Sequence, residues 1–239
     1  MTADQAVRTA LVTGASRGIG LAIARLLAAS GVRVALVARS AAELSAHAAE
    51  LGGGALAVPA DVTSAADVAR VISATRDAFG DVPDLLVNNA GIFVPKPLHV
   101  LTADEFERTI QVNLVAPFLL LRAVLPRWRE LGRGHAITIG SIVDRTIFAD
   151  NGAYSASKFG ARGMHEVLRA ETKGSGIRAT LVAPSSTDTP IWDSVDLPAS
   201  NRYPPRERML SAQAVAEAVV WAAMRPSSVN VDELRLSAS

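Results

Sequence analysis

In the run Tyr154-Ser155-Ala156-Ser157-Lys158 a phenol and an ammonium stand four residues apart. On a helix that spacing puts both side chains on one face, one turn apart. A free phenol has a pKa of about 10 and exchanges protons poorly near pH 7. A fixed ammonium beside it favours the phenolate and is expected to draw that value toward neutrality. A tyrosine so tuned can give a proton to a substrate oxygen or take one from it. Tyr and Lys also fall at this spacing by chance, so the pair gains weight only from an independent signal elsewhere.

That signal is Val12-Thr13-Gly14-Ala15-Ser16-Arg17-Gly18-Ile19-Gly20. A short β-rich stretch precedes it, and the strong helix former Leu21-Ala22-Ile23-Ala24-Arg25-Leu26-Leu27-Ala28-Ala29 follows. Strand, glycine-rich turn and helix is the context a dinucleotide site requires. Glycines let the backbone turn tightly and approach a pyrophosphate. The helix N-terminus then offers unpaired N–H groups and a partial positive charge to the phosphates. A glycine-rich βα turn with no ligand is the bland alternative.

Composition bounds the setting for these residues. A chain of 239 residues fits one α/β domain over residues 1–239, and 49% hydrophobic content is enough for a large core. Net charge is +1 with the basic residues scattered, so neither nucleic acid nor an anionic membrane is expected as partner. The absence of cysteine removes disulfides, thiolate metal sites and a cysteine nucleophile, and suits a cytoplasmic protein. No uninterrupted apolar run approaches the roughly 18 residues of a membrane span. The longest, Leu114 to Leu121, contains Pro117 and is followed by Arg122. The polar start, Met1 to Arg8, does not read as a signal peptide.

The elements that must position these groups alternate strand and helix throughout. That pattern predicts an α/β fold with a doubly wound, seven-stranded parallel sheet covered by helices on both faces. Strands are expected at residues 9–13, 33–38, 55–59, 85–87, 135–140, 177–182 and 233–236. Helices are expected at 18–30, 41–51, 65–79, 103–130, 153–173 and 212–224. Residues 185–210, with prolines at 190, 198, 204 and 205, read as one irregular loop, and a loop that long suggests a lid or binding segment.

Taken together the motifs resemble the classical short-chain dehydrogenase/reductase family over nearly the whole chain. Thr13 to Gly20 matches the family's TGxxxGxG cofactor turn, and Asn88-Asn89-Ala90-Gly91 matches its NNAG segment. Ser141, Tyr154 and Lys158 match its catalytic set, and Asn113 matches the asparagine that completes it. The resemblance implies a single-domain Rossmann fold and hydride transfer between a nicotinamide and a carbonyl or secondary-alcohol substrate. It implies that Tyr154 is the acid/base, and that Lys158 tunes it and holds the nicotinamide ribose. Asn113, in the family, disturbs its helix and holds a water in a proton relay. A solvated helix asparagine is the alternative there. Ser141 follows an apolar strand, at the edge where ligands collect in open α/β sheets. Its hydroxyl would hydrogen-bond the developing oxyanion, unless it is only a turn or cap serine.

Cofactor contacts implied by the resemblance fall on Gly14, Ser16, Arg17, Gly18, Ile19, Gly20, Asp61, Val62, Asn89, Ala90 and Gly91, besides Tyr154 and Lys158. Asn89 also reads as a structural brace of the sheet edge. Pro184, Thr187 and Thr189 keep the family pattern after the sixth strand, but Ser185 stands where a glycine is usual. Serine tolerates positive φ poorly, which leaves the path of that loop open. Relatives specific for NAD carry an acid at the end of the second strand. Here Ala38 occupies that place, Arg39 follows, and Arg17 is a second cation within reach. Two guanidinium groups suit a 2′-phosphate, so NADP(H) is the expected cofactor and NAD(H) the alternative.

The four histidines show no metal-ligand spacing, and no metal is expected. Phe93, Ile142, Val143, Phe148, Ile191 and Trp192 are the candidate walls of an apolar substrate pocket. Arg202, Arg206 and Arg208 could meet an anionic tail or simply be solvated. The resemblance further implies a homo-oligomer, a dimer or tetramer, through the helices at 103–130 and 153–173. Two other functions compete: a cofactor-binding redox sensor without catalysis, and a lyase or epimerase using the same Tyr–Lys pair.

Overall fold

The computed structural model describes residues 7–195 and 203–239. Its strands in chain order are β1 (Thr9–Thr13), β2 (Arg33–Ala38), β3 (Leu56–Pro59), β4 (Leu85–Asn88), β5 (Gly134–Ile139), β6 (Ile177–Pro184), β7 (Thr187–Asp188), β8 (Leu210–Ser211) and β9 (Glu233–Leu236). Its α-helices are α1 (Gly18–Ala29), α2 (Ala41–Leu51), α3 (Ala65–Phe79), α4 (Ala103–Ile110), α5 (Ala116–Leu131), α6 (Gly152–Thr172) and α7 (Ala212–Ala223). Seven strands form one parallel sheet in the order β3-β2-β1-β4-β5-β6-β9. The chain winds outward from β1 in one direction and from β4 in the other. Ligands of such sheets bind beyond the strand C-termini at that switch point.

Strands buried on both faces need apolar side chains in both alternating sets. Val12, Leu36, Val87 and Ile137 pack on one face with Leu27 of α1 and Val219 of α7. Leu11, Ala35, Leu86 and Ala136 pack on the other with Val71 of α3 and Leu120, Val124 and Trp128 of α5. Helix starts follow local chemistry. The Ser64 hydroxyl accepts from the Asp67 N–H to cap α3, and Thr102 with Glu105 forms a reciprocal capping box on α4.

Two expectations need correction. The single helix expected at 103–130 is divided: Gln111–Val115 forms a π-helical turn between α4 and α5. The cause lies across the fold. The Asn113 side chain accepts from the Ile92 N–H at 2.9 Å and donates to the Ile92 carbonyl at 3.0 Å, which holds that turn wide. Pro117, which has no N–H to donate, lies just after this turn at the start of α5. The segment at 185–210 is likewise not structureless. β7 and β8 pair in parallel, and short 3₁₀ turns form at Pro190–Trp192 and Arg206–Arg208.

The helical stretch Ala103–Leu131 is long and apolar enough to cross a membrane, with a mean hydropathy of 1.5 over its best 18-residue window. Uninterrupted apolar runs in the sequence do not reveal this. Leu120, Val124 and Trp128 lie buried against the sheet, the setting of a core helix.

Candidate active site

The C-terminal strand ends open into a cleft of about 1240 Å³. Gly14, Ser16, Arg17, Gly18 and Ile19 line it after β1, Arg39 after β2, and Asp61 and Val62 after β3. Asn89, Ala90 and Gly91 line it after β4, Ser141 after β5, and Pro184, Thr187 and Thr189 after β6. Tyr154 and Lys158 face it from α6. Gly20 and Asn113 are buried behind its wall.

The glycine turn leaves no room for side chains. Gly14 and Gly18 have φ of 65° and 58°, and a Cβ on Gly20 would lie 2.3 Å from the Gly14 carbonyl oxygen. The Asn89 side chain donates to the Thr13 carbonyl at 2.8 Å and ties β4 to this turn. His47 on α2 braces it from the other side, its Nε2 3.1 Å from the Ser16 carbonyl oxygen. Its helix position alone did not suggest that role. A backbone so bare at a helix N-terminus fits a pyrophosphate, the group the sequence implies. Arg17 and Arg39 are exposed and lie along the same cleft, and among the described residues neither forms a direct ion pair, which fits a further phosphate. Asp61 is held below the usual carboxylate range, first by the Thr63 N–H and hydroxyl bonds and less by the charges of Arg39 and Arg108.

At the other end of the cleft the groups are buried. Tyr154 and Lys158 stand one turn apart on α6, with Nζ 5.6 Å from the phenol ring centroid. Lys158 donates to the Ile139 carbonyl at the end of β5 at 2.8 Å. The Tyr154 carbonyl accepts from the Ser157 hydroxyl at 2.7 Å, and that hydroxyl accepts from Asn113 Nδ2 at 3.0 Å. The π turn, α6 and the loop after β4 are thereby linked through one amide.

The expected lowering of the phenol pKa does not occur in this structure. Burial pushes Tyr154 up to about 12, against a smaller lowering by the Ser141 hydroxyl. Burial also pulls Lys158 down to about 8. Dehydration disfavours both charged forms, and it outweighs the local pairing inferred from spacing.

Aromatic rings form the wall beside Tyr154. Phe93 meets Tyr154 edge-on with ring centroids 4.9 Å apart, and meets Trp192 at 5.2 Å. Tyr203 packs 5.0 Å from Trp192 and donates its hydroxyl to the Asn151 side chain at 3.0 Å. The Trp192 indole donates to the Thr187 carbonyl at 3.0 Å. Ile142, Val143, Phe148 and Ile191 complete this lining. Tyr203 and Asn151 were not singled out from the sequence, because each reaches the site only through the folded loop.

Ser185 adopts no positive φ: the only such non-glycine among the described residues is Asp150, at 64°. β6 instead runs extended through Pro184, and the Ser185 N–H donates to the Leu236 carbonyl at 2.8 Å. Of the lid arginines, Arg202 lies outside the described residues. Arg206 bridges Asp188 at 2.8 Å and Asp193 at 2.7 Å, while Arg208 is exposed along the cleft. Of the four histidines, His135 and His165 are buried, each bonded to a threonine hydroxyl.

A family model described as short chain dehydrogenase matches residues 8–198. An uncharacterized oxidoreductase of Staphylococcus saprophyticus is 33% identical over 231 residues, covering 95% of each chain. The structure of an alcohol dehydrogenase from the archaeon Thermococcus sibiricus, complexed with 5-hydroxy-NADP, superposes with a TM-score of 0.84 at 34% identity. That match covers 96% of this chain and 95% of the other. The 3-ketoacyl-(acyl-carrier-protein) reductase from Brucella melitensis, complexed with NADH, has a TM-score of 0.87 at 29% identity, covering 95% and 96%.

Proposed function

The chain belongs to the short chain dehydrogenase family, and from that premise we propose that it is an NADP(H)-dependent oxidoreductase acting on a carbonyl or secondary-alcohol substrate. One observation carries the reading: Ser141, Tyr154 and Lys158 share a cleft with the glycine turn, at the C-terminal edge of the parallel sheet. The nicotinamide, when bound, supplies or accepts the hydride. In the reducing direction the substrate oxygen gains charge and must be protonated. Tyr154, held in its protonated form by burial, is the acid. Ser141 donates a hydrogen bond to the same oxygen and fixes it against the phenol. Lys158 brings positive charge beneath the phenol and stabilises the phenolate left behind. Asn113 holds the loop after β4 and the start of α6 in register, so the phenol meets the substrate in one place.

Arg39 and Arg17 would bind the 2′-phosphate and Asp61 the adenine amine. The aromatic wall of Phe93, Trp192 and Tyr203 favours substrates with an apolar group beside the carbonyl. A pure redox sensor has no use for an intact Tyr–Lys–Ser set, which is why catalysis is preferred. A panel of ketones and aldehydes with NADPH and NADH, followed by loss of reduced-cofactor absorbance, tests the reading. Turnover with NADPH supports it, and no turnover with any carbonyl or alcohol defeats it.

Assembly is part of the same proposal. Phe118 on α5 and Phe159 and Val167 on α6 expose 49%, 40% and 55% of their surface. Exposed apolar groups on two helices that cover the same face of the sheet suit packing against a second copy. Light scattering at micromolar concentration is expected to show a dimer or tetramer, and a monomer would refute this part.

A further inference from the structure

The turn after β5 contains an acidic group that the reaction outlined above does not use. Asp144 is wholly buried. Its Oδ1 accepts from Arg145 Nε at 2.7 Å, and its Oδ2 has no hydrogen-bond partner. Arg145 also lies 2.6 Å from Glu233 of β9. Two carboxylates thus share one guanidinium, which leaves a net negative charge in a network buried at its Asp144 end and partly exposed at Glu233. The free oxygen points under Gly140, where a Cβ would stand 2.9 Å from it. Gly140 joins Ile139, whose carbonyl holds Lys158, to Ser141, whose carbonyl accepts from the Asp144 N–H at 3.0 Å. A buried carboxylate oxygen without a donor is costly unless an opposite charge compensates it. Arg145 is the direct one, and Lys158, held by the Ile139 carbonyl on the other side of Gly140, is a second.

We propose that Asp144 is a positioning residue of the active site, whose buried charge keeps Lys158 an ammonium in surroundings dry enough to neutralise it. The proposal rests on reading Tyr154 and Lys158 as the proton-handling pair. Among the described residues Asp144 is paired to Arg145 on its own turn, acts on Tyr154 and Lys158 of α6, and is joined to Glu233 of β9 through Arg145. Its field holds protons on both members of the pair, raising Lys158 against burial and raising Tyr154 along with burial. Gly140 then has a second use, because any side chain there would displace the carboxylate.

The chain has three lysines, at 96, 158 and 173, so lysine signals can be resolved one by one. The test is an NMR titration of the whole protein labelled at lysine Cε, in wild type and Asp144→Asn, without cofactor. Lys158 is expected to titrate near 8 in the wild type and about one unit or more lower in the variant. Both limbs of the pH–rate profile are expected to move to lower pH together, since the charge acts on lysine and tyrosine alike. A purely structural Asp144 would lower the melting temperature and leave the lysine titration in place. Should Asp144→Asn fail to fold, Glu233→Gln on the edge strand removes one charge of the same network from further away. It is expected to shift Lys158 in the same direction by less. An unmoved Lys158 in either folded variant overturns the proposal. A wild type that turns over no carbonyl would remove the proposed reaction but leave the lysine titration readable, so the two failures are distinguishable.

Discussion

The two ends of the cleft are built on opposite plans. Around Tyr154 three polar side chains are buried and paired, Lys158 with Ile139, Ser157 with Tyr154, and Asn113 with Ile92 and Ser157, while Asp144 Oδ2 is buried without a donor. Around the glycine turn the charges are exposed, and among the described residues Arg17 and Arg39 form no direct ion pair. Buried groups must be paired during folding, so their positions are set before a ligand arrives. Exposed cations are solvated at little cost and gain a partner only when an anion binds. Placement, which chemistry needs, is concentrated at one end. Charge, which affinity needs, is concentrated at the other.

Substitutions can pull these two properties apart. At the buried end Tyr154→Phe removes one hydroxyl from a packed site. It is expected to lower kcat by about 10²- to 10⁴-fold, the usual contribution of a positioned acid. Cofactor affinity, read by fluorescence titration, should stay near the wild-type value. An equal loss of both would mean that the two ends are not separable. Lys158→Ala, by contrast, is expected to damage kcat and cofactor affinity together, because the role proposed for that side chain includes both phenol and ribose.

Acid sensitivity should come from histidines buried outside the cleft. His165 on α6 is pulled down to about 4 by burial, and the Arg169 charge adds to that. Its unfolded value is about 6.5. As pH falls below 6.5 the unfolded chain takes up a proton that the folded chain refuses. Stability is therefore lost between pH 6.5 and 4, up to about 3 kcal/mol for this residue. His135, fully buried and also shifted down by burial, adds to the same loss. Melting temperatures at pH 7.5 and pH 5 should differ by less in His165→Gln than in wild type. An identical difference in both would assign the acid loss to other groups.

At the open end the effects are smaller and fall on affinity. A hydrogen bond to a charged group is worth roughly 1.5–3 kcal/mol. Arg39→Ala is accordingly expected to weaken NADPH binding by about 10- to 100-fold while NADH binding changes little. Ala38→Asp should reverse the preference, by repelling the phosphate and accepting from the ribose 2′-OH. Raised salt should weaken NADPH binding, since these cations are exposed. A kcat/KM ratio for NADPH over NADH that ignores Arg39→Ala would leave the open end without its proposed role.

Much of this arrangement is legible along the chain. Short apolar or alternating stretches between helical ones located the sheet strands to within two residues. The glycine turn could be read because its bare backbone must sit between a strand and a helix. The Tyr–Lys pair could be read because four residues make one helical turn. These inferences rest on neighbours in sequence, and local sterics and periodicity hold in any fold that keeps the element.

What escaped depends on partners far along the chain. The resemblance implied that Asn113 disturbs its helix, but the form of the disturbance, a π turn at Gln111–Val115, depends on its bonds to Ile92, 21 residues away. His47 gained a task from the Ser16 carbonyl, 31 residues away, and Tyr203 joined the aromatic wall through Asn151. The sign of the Tyr154 shift was misjudged for the same reason. Spacing shows that an ammonium is near, but burial depends on everything packed around both groups, and burial outweighed the charge. Asp144 carries no local signal at all, being an acid in a turn until the fold closes over it. Periodicity and turn chemistry are properties of short segments and can be read in order. Dielectric surroundings and hydrogen-bond satisfaction are properties of a closed volume, and they exist only once distant segments have enclosed it.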